Sequence, residues 1–250
     1  MTDAISIHDL SFRYPRATND CFHQLNLQVV PGQRFGIFGP NGAGKTTLMN
    51  CMTGLLPCKE DSIKILGLPI NKNKNAVNRL FGLVPQDFSF FTELSPVENL
   101  AFFGAWSGMR KPEIKKRTNE LLEILDLQKV QDTPVRKFSG GMKRKLNLAI
   151  GVIHHPSILF LDEPTVGVDI QTRTAIISYL KVLNNNGTTL VYTSHQLNEA
   201  EELCNKIALI DEGKIIAHDT LSNLLNEHHE TGLESLFIRL TGKKYADTDV

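Results

Sequence analysis

Gly39-Pro40-Asn41-Gly42-Ala43-Gly44-Lys45-Thr46 is the stretch on which the fold of this chain turns. It fits the spacing G-x-x-x-x-G-K-[ST]. Glycines let a backbone curl until successive amides face one anion. Arg34 to Phe38, just before it, reads as a short apolar strand. Thr46 to Gly54, just after, reads as a helix that stops at Gly54 and presents its N-terminus to the anion. In this pattern the lysine, Lys45, reaches the β- and γ-phosphates of a nucleotide, and the hydroxyl, Thr46, holds Mg²⁺. With glycine at about 7% of residues, a chance match is expected in about one chain of this length in a hundred. The flanking strand and helix make a plain glycine turn the weaker reading still.

A Walker A loop of this kind needs a carboxylate at the end of a neighbouring strand. Ile158-Leu159-Phe160-Leu161-Asp162-Glu163 supplies one. Four apolar residues bury the strand and leave Asp162 at its C-terminal end, where ligands of open α/β sheets bind. Asp162 would hold Mg²⁺ directly or through water. Glu163, one residue on, is placed as general base for an attacking water. Standing alone, Asp-Glu after a strand is an ordinary solvated turn; beside the glycine loop it gains its meaning.

Outward from these two motifs, strands alternate with helices. Ala4 to Leu10, Phe22 to Val30, Ser62 to Leu66, Phe81 to Val84, Ser157 to Leu161, Thr188 to Thr193 and Lys206 to Ile210 read as strands. Asp211-Glu212-Gly213-Lys214 is a hairpin turn leading into Ile215-Ile216. Ser95-Pro96-Val97-Glu98 is a capping box with proline at the first helical position. Lys111-Pro112 restarts a second helix, and Ile170 to Leu183 and Leu197 to Leu203 read as further helices. The whole is an α/β fold with a mainly parallel sheet. It reads as a single domain over residues 1–250, with a helical insertion from about 88 to 150 and a short C-terminal segment from about 220.

Phe138-Ser139-Gly140-Gly141-Met142, followed by Lys143-Arg144-Lys145, adds a second feature. Ser139 is a helix N-cap, and two glycines leave bare amides at the helix start. That is a second anion site in a chain with one Walker A loop. Here the chain resembles the ABC-type ATPases, the nucleotide-binding subunits of ABC transporters, from about residue 5 to 240. The family's signature is usually L-S-G-G-Q, so this chain departs from it at Phe138 and Met142. S-G-G-M-[KR]-R is the form of the ABC-2 exporter branch.

The resemblance implies a P-loop core, an N-terminal antiparallel β-subdomain and an inserted helical subdomain carrying the signature. It implies ATP and Mg²⁺ as ligands, and a head-to-tail dimer with a second ATPase subunit, an identical copy being expected. Each ATP would then lie between one loop (Gly39, Pro40, Asn41, Gly42, Ala43, Gly44, Lys45, Thr46 and Thr47) and the partner's signature (Ser139, Gly140 and Gly141). It assigns Tyr14 to stacking on adenine and Gln86 to sensing Mg²⁺ and the attacking water. Asp169 is assigned to the dimer seam and His195 to the γ-phosphate. The mechanism implied is phosphoryl transfer to water.

Seven of the chain's 18 aromatic residues lie between Phe81 and Trp106, and Phe88-Ser89-Phe90-Phe91 reads as a loop. An aromatic-rich loop beside Gln86 suits a docking groove. In the resembling family the membrane subunit's coupling helix binds there. Phe102 or Phe103 would instead fill the helical core. Leu233-Glu234-Ser235-Leu236-Phe237-Ile238-Arg239-Leu240-Thr241-Gly242 resembles the closing segment of drug-export ATPases of the ABC-2 type. The partner implied is a separate ABC-2 membrane permease exporting a drug, antibiotic, lipid or polysaccharide.

Lys and Arg number 27, as do Asp and Glu, and the balance argues against a nucleic-acid partner. No run approaches the roughly 18 apolar residues of a membrane span. The N-terminus lacks a signal pattern, so a cytoplasmic protein is expected; the resemblance implies that it sits peripherally on the membrane through its permease. Cys21, Cys51, Cys58 and Cys204 are scattered, and the pairs His154-His155 and His228-His229 read as surface residues. The rival reading is a soluble ABC ATPase acting on a ribosome or DNA complex. Such chains carry duplicated units or basic extensions, which are not seen here.

Overall fold

The computed structural model describes residues 2–59, 61–72, 74–194 and 196–243. His195 and positions 244–250 of the C-terminal segment lie outside the described residues. The chain divides into two compact units, one of residues 1–78 with 189–250 and one of residues 79–188.

The first unit opens with strands β1 (Ile5–Phe12) and β2 (Phe22–Val29). They pair antiparallel, Ile5 opposite Val29 and Ile7 opposite Leu27. The sequence pattern ends β1 at Leu10, two residues early. Asp9 and Gln24 have left-handed φ angles of +48° and +51°, and the register shifts between Ile7 and Leu10. A bulge of this kind breaks the two-residue alternation that marks a strand. β3 (Arg34–Phe38) leads into helix α1 (Lys45–Met52). Then come β4 (Ile63–Ile65), the two-residue β5 (Leu68–Pro69) and the short α2 (Lys74–Val77). The order β2-β1-β4-β5 makes one antiparallel sheet. Ile5, Ile7, Val29 and Ile65 are wholly buried.

The second unit holds β6 (Phe81–Val84), α3 (Pro96–Trp106), α4 (Lys111–Ile124), α5 (Gly140–Val152), β7 (Ile158–Asp162) and α6 (Ile170–Asn185). β6 and β7 run parallel, Phe81 opposite Ile158. The Ser95 capping box forms as expected: Ser95 Oγ accepts from Glu98 N at 3.3 Å, and Glu98 Oε2 accepts from Ser95 N at 2.8 Å. α5 lies close against β6. A Cβ on Gly82 would fall 1.9 Å from the carbonyl oxygen of Gly151. His154 departs from the surface reading: it is half-buried, with Nε2 at 3.0 Å from the Phe81 carbonyl.

The chain then returns to the first unit with β8 (Thr189–Ser194), α7 (Leu197–Leu203), β9 (Lys206–Asp211), β10 (Lys214–Thr220), α8 (Leu221–His228) and α9 (Leu233–Thr241). β3 pairs parallel with both β8 and β9, and β10 pairs antiparallel with β9. The closing segment is therefore helical. Thr220 caps α8 and α9 buries Leu233, Leu236 and Phe237. Each such burial is worth about 1.5–3 kcal/mol, which fastens the end of the described chain to its unit.

Candidate functional site

In the first unit, β3 is apolar and buried from Phe35 to Phe38, so its last residue fixes where the glycine loop begins. Gly39 admits no side chain, since a Cβ would sit 2.1 Å from the carbonyl oxygen of Ile210. Gly44 has φ +107°, a conformation that L side chains rarely adopt. Lys45 is buried, and its Nζ donates to the carbonyls of Gly39 at 2.7 Å and Pro40 at 3.1 Å. The ammonium thus closes over the loop it follows. Gly213, in the β9–β10 turn, donates its N–H to the Ala43 carbonyl at 3.1 Å and braces the loop from outside. A curl of amides, one lysine and the start of α1 match the charge and geometry of a polyphosphate.

Tyr14 stands beside this loop. Its Oη is 2.9 Å from Thr47 Oγ1, and its ring meets Phe12 edge-on with centroids 5.0 Å apart. Tyr14 remains 42% exposed, which leaves room for a planar base to stack on it. Thr46 is exposed at the start of α1, and a hydroxyl there is a hard oxygen donor of the kind Mg²⁺ takes.

His195 lies outside the described residues, but both of its neighbours are held. Ser194 Oγ donates to Glu199 Oε2 at 3.1 Å and accepts from Gln196 N at 2.9 Å. Tyr192 also donates to Glu199, a residue only 1% exposed. Glu199 went unnoticed in the sequence because a glutamate on an amphipathic helix normally faces water.

In the second unit, β7 is buried along all five residues, and Asp162, at its end, is 5% exposed. Glu163 follows with φ +49°. A left-handed non-glycine residue costs of order 1–3 kcal/mol and marks strain held by its surroundings. A carboxylate of this kind suits a hard cation, and its neighbour suits a proton acceptor.

Ser139 caps α5 as expected, its Oγ accepting from Met142 N at 3.3 Å. Phe138 is buried. A Cβ on Gly141 would meet Thr172 Oγ1 at 2.8 Å, so the starts of α5 and α6 abut. Asp169 caps α6: Oδ1 accepts from Thr172 N at 2.9 Å and Oδ2 from Thr172 Oγ1 at 2.8 Å. These bonds hold the Asp169 carboxyl below its ordinary range.

Gln86 is exposed just past β6. The buried face of α5 reaches back to that segment, with Arg144 donating to the Gln86 carbonyl at 2.7 Å and Asn147 to the Pro85 carbonyl at 3.0 Å. These two polar residues at one-turn spacing were the missed signal.

The aromatic segment divides. Phe81 is buried, Phe90 and Phe103 are half-buried, and Phe88, Phe91, Phe102 and Trp106 are exposed, Trp106 by 81%. Phe102, a candidate for the core, instead stacks outward on Trp106 at 6.3 Å. Buried Asn99 fixes the loop backbone, pairing with both the N–H and the carbonyl of Phe91 at 2.9 and 3.0 Å.

A family model described as ABC transporter matches residues 22–166. The chain is 40% identical over 200 residues to the linearmycin resistance ATP-binding protein LnrL of Bacillus subtilis (strain 168), covering 80% of this chain and 64% of that one. It is 40% identical over 202 residues to the Nod factor export ATP-binding protein I of Cupriavidus metallidurans, covering 81% of this chain and 67% of that one. The chain thus spans about two thirds of the length of these curated relatives. A solved ATP-binding subunit of an ABC transporter superposes with TM-score 0.88 at 24% identity, over 95% of this chain and 99% of the other. Among the described residues, no helix is long and apolar enough to cross a membrane.

Proposed function

We propose that this chain, which belongs to the ABC transporter family, is the ATP-binding and ATP-hydrolysing subunit of an exporter. The observation that carries the reading is the loop from Gly39 to Thr46, with Lys45 closed over two of its carbonyls. Its amides and Lys45 hold the phosphates, and Tyr14 receives the adenine. Thr46, Gln86 and Asp162 would hold Mg²⁺, which when bound would offset the charge of the phosphates. Glu163 takes a proton from the attacking water, and His195 contacts the γ-phosphate.

The start of α5 is a second set of bare amides, at Ser139, Gly140 and Gly141. It serves the nucleotide of a second ATPase subunit, an identical copy in a head-to-tail dimer. Ile170 beside Asp169 is 81% exposed, which supports a partner at that seam. The single ABC domain carries its helical subdomain from about residue 88 to 150. The exposed rings at Phe88, Phe91, Phe102 and Trp106 receive an ABC-2 type permease, which keeps the chain on the cytoplasmic face of the membrane. Relatives named for linearmycin resistance and Nod factor export support an exported cargo of the drug, antibiotic, lipid or polysaccharide class.

Glu163→Gln tests the chemistry. It keeps shape and loses basicity, so turnover should fall by about 10²–10⁴-fold while an ATP-bound dimer accumulates in sedimentation experiments. Turnover equal to the parent's would remove Glu163 from its role. Trp106→Asp, at the most exposed of these rings, tests coupling. With the permease reconstituted, transport should collapse while ATP hydrolysis by the chain alone persists; transport at the parent's rate would remove the docking surface.

A further inference from the structure

Arg144 lies on the buried face of α5 and is 5% exposed. A guanidinium stays charged when buried, so its N–H groups need acceptors. Nη1 donates to the Gln86 carbonyl at 2.7 Å, and Nη2 to the Val166 carbonyl at 3.4 Å. The guanidinium carbon sits 4.8 Å from the centroid of the Phe88 ring. Burial pushes the group down from its ordinary pKa, against the attraction of Glu163 and Asp87 for the charge.

One cation therefore joins three pieces of chain: the segment after β6, the start of α5 and the turn after β7. Its hydrogen bonds go to main-chain carbonyls, so it sets backbone position in both loops. Nε is buried without a partner. An unpaired buried N–H is a cost that an apolar side chain of similar length would avoid. Packing alone gives no reason for an arginine here. The bonds to Gln86 and Val166 do.

We propose that Arg144 is a positioning residue for ATP hydrolysis, fixing the backbone at Gln86 and Val166 and tying both to the Phe88 ring. Displacement of the aromatic segment is then felt at Gln86 through a single side chain. The inference rests on the roles given above to Gln86 and Glu163. A planar fork is required, because the point charge of a lysine cannot reach two carbonyls and lie over a ring at once.

The test measures ATP hydrolysis by the purified full chain against ATP and against Mg²⁺, with thermal unfolding alongside. No hydrolysis by the parent chain would overturn the proposed function, independently of Arg144. In Arg144→Met, kcat should fall by about tenfold or more, since small misplacements near the chemistry are costly. KM for ATP should stay within about twofold, as expected when an interaction acts in the transition state and not in uniform binding. The Mg²⁺ concentration for half-activation should rise by about threefold or more, which a packing defect would not cause. Arg144→Lys should restore only part of kcat, and Phe88→Leu should move both readouts the same way by less. An Arg144→Met protein with the parent's kcat and Mg²⁺ requirement overturns the proposal. If Arg144→Met does not fold, an unchanged Mg²⁺ requirement in both Arg144→Lys and Phe88→Leu overturns it.

Discussion

At the Lys45 loop the backbone itself makes the site. Gly39 has no room for a Cβ, Gly44 sits at φ +107°, and the Lys45 side chain folds back on loop carbonyls. At the start of α5 the arrangement is reversed. Ser139 has ordinary extended angles and a single capping bond. Side chains farther along the helix, Arg144 and Asn147, hold the neighbouring loop by its carbonyls. The first helix start is a rigid cradle shaped by what glycine permits. The second is an exposed helix end whose surroundings are set by long polar side chains. A cradle of the first kind suits a ligand held throughout a cycle, and an end of the second kind suits a contact made and released.

The comparison can be broken by substitution, beginning with the strongest effect. Lys45→Met removes the cation from the cradle, and ATP hydrolysis should fall by about a hundredfold or more, the scale for losing a preorganised electrostatic group. Phosphate release measures it; a loss under tenfold would mean that the backbone amides suffice.

Gly39→Ala should come next. The new methyl would press on the Ile210 carbonyl, which is main chain and cannot rotate away. Overpacking of this kind costs about 1–3 kcal/mol, or a melting point lower by about 2–4 °C per kcal/mol in a chain of this size. An unchanged melting curve would show that the cradle yields to the added methyl.

Ser139→Ala should be the mildest for stability. It deletes one cap on an exposed helix end, about 1 kcal/mol. Its larger effect should fall on ATP-driven dimerisation, read by sedimentation. If monomer stability and dimerisation both match the parent, the second helix start is not a working anion site.

Legibility from sequence followed the same division. The loop could be read because its demands are local: a glycine spacing, one lysine, a strand before and a helix after. β7 could be read because four apolar residues before Asp162 leave no other place for them. Capping at Ser95 and Ser139 is also local, spanning three residues. What escaped was non-local. The bulges at Asp9 and Gln24 hid the true end of β1. α9 escaped because its residues read as a closing family segment. Arg144, Asn147 and Glu199 are polar residues on helices, a type whose ordinary place is the solvent face, and only the packing turns them inward. The aromatic cluster was visible as composition, but its division into buried Phe81 and exposed Trp106 was not.

The sequence by itself determined the phosphate-type loop, the carboxylate strand and the two glycine-led helix starts. Each depends on backbone conformations or burial patterns that a few adjacent residues dictate. Only the tertiary structure decided which polar side chains hold those motifs in place. A hydrogen bond from Arg144 to Gln86 spans 58 positions of chain. It forms because α5 can approach β6 closely where Gly82 meets Gly151, a condition that no local window of sequence contains.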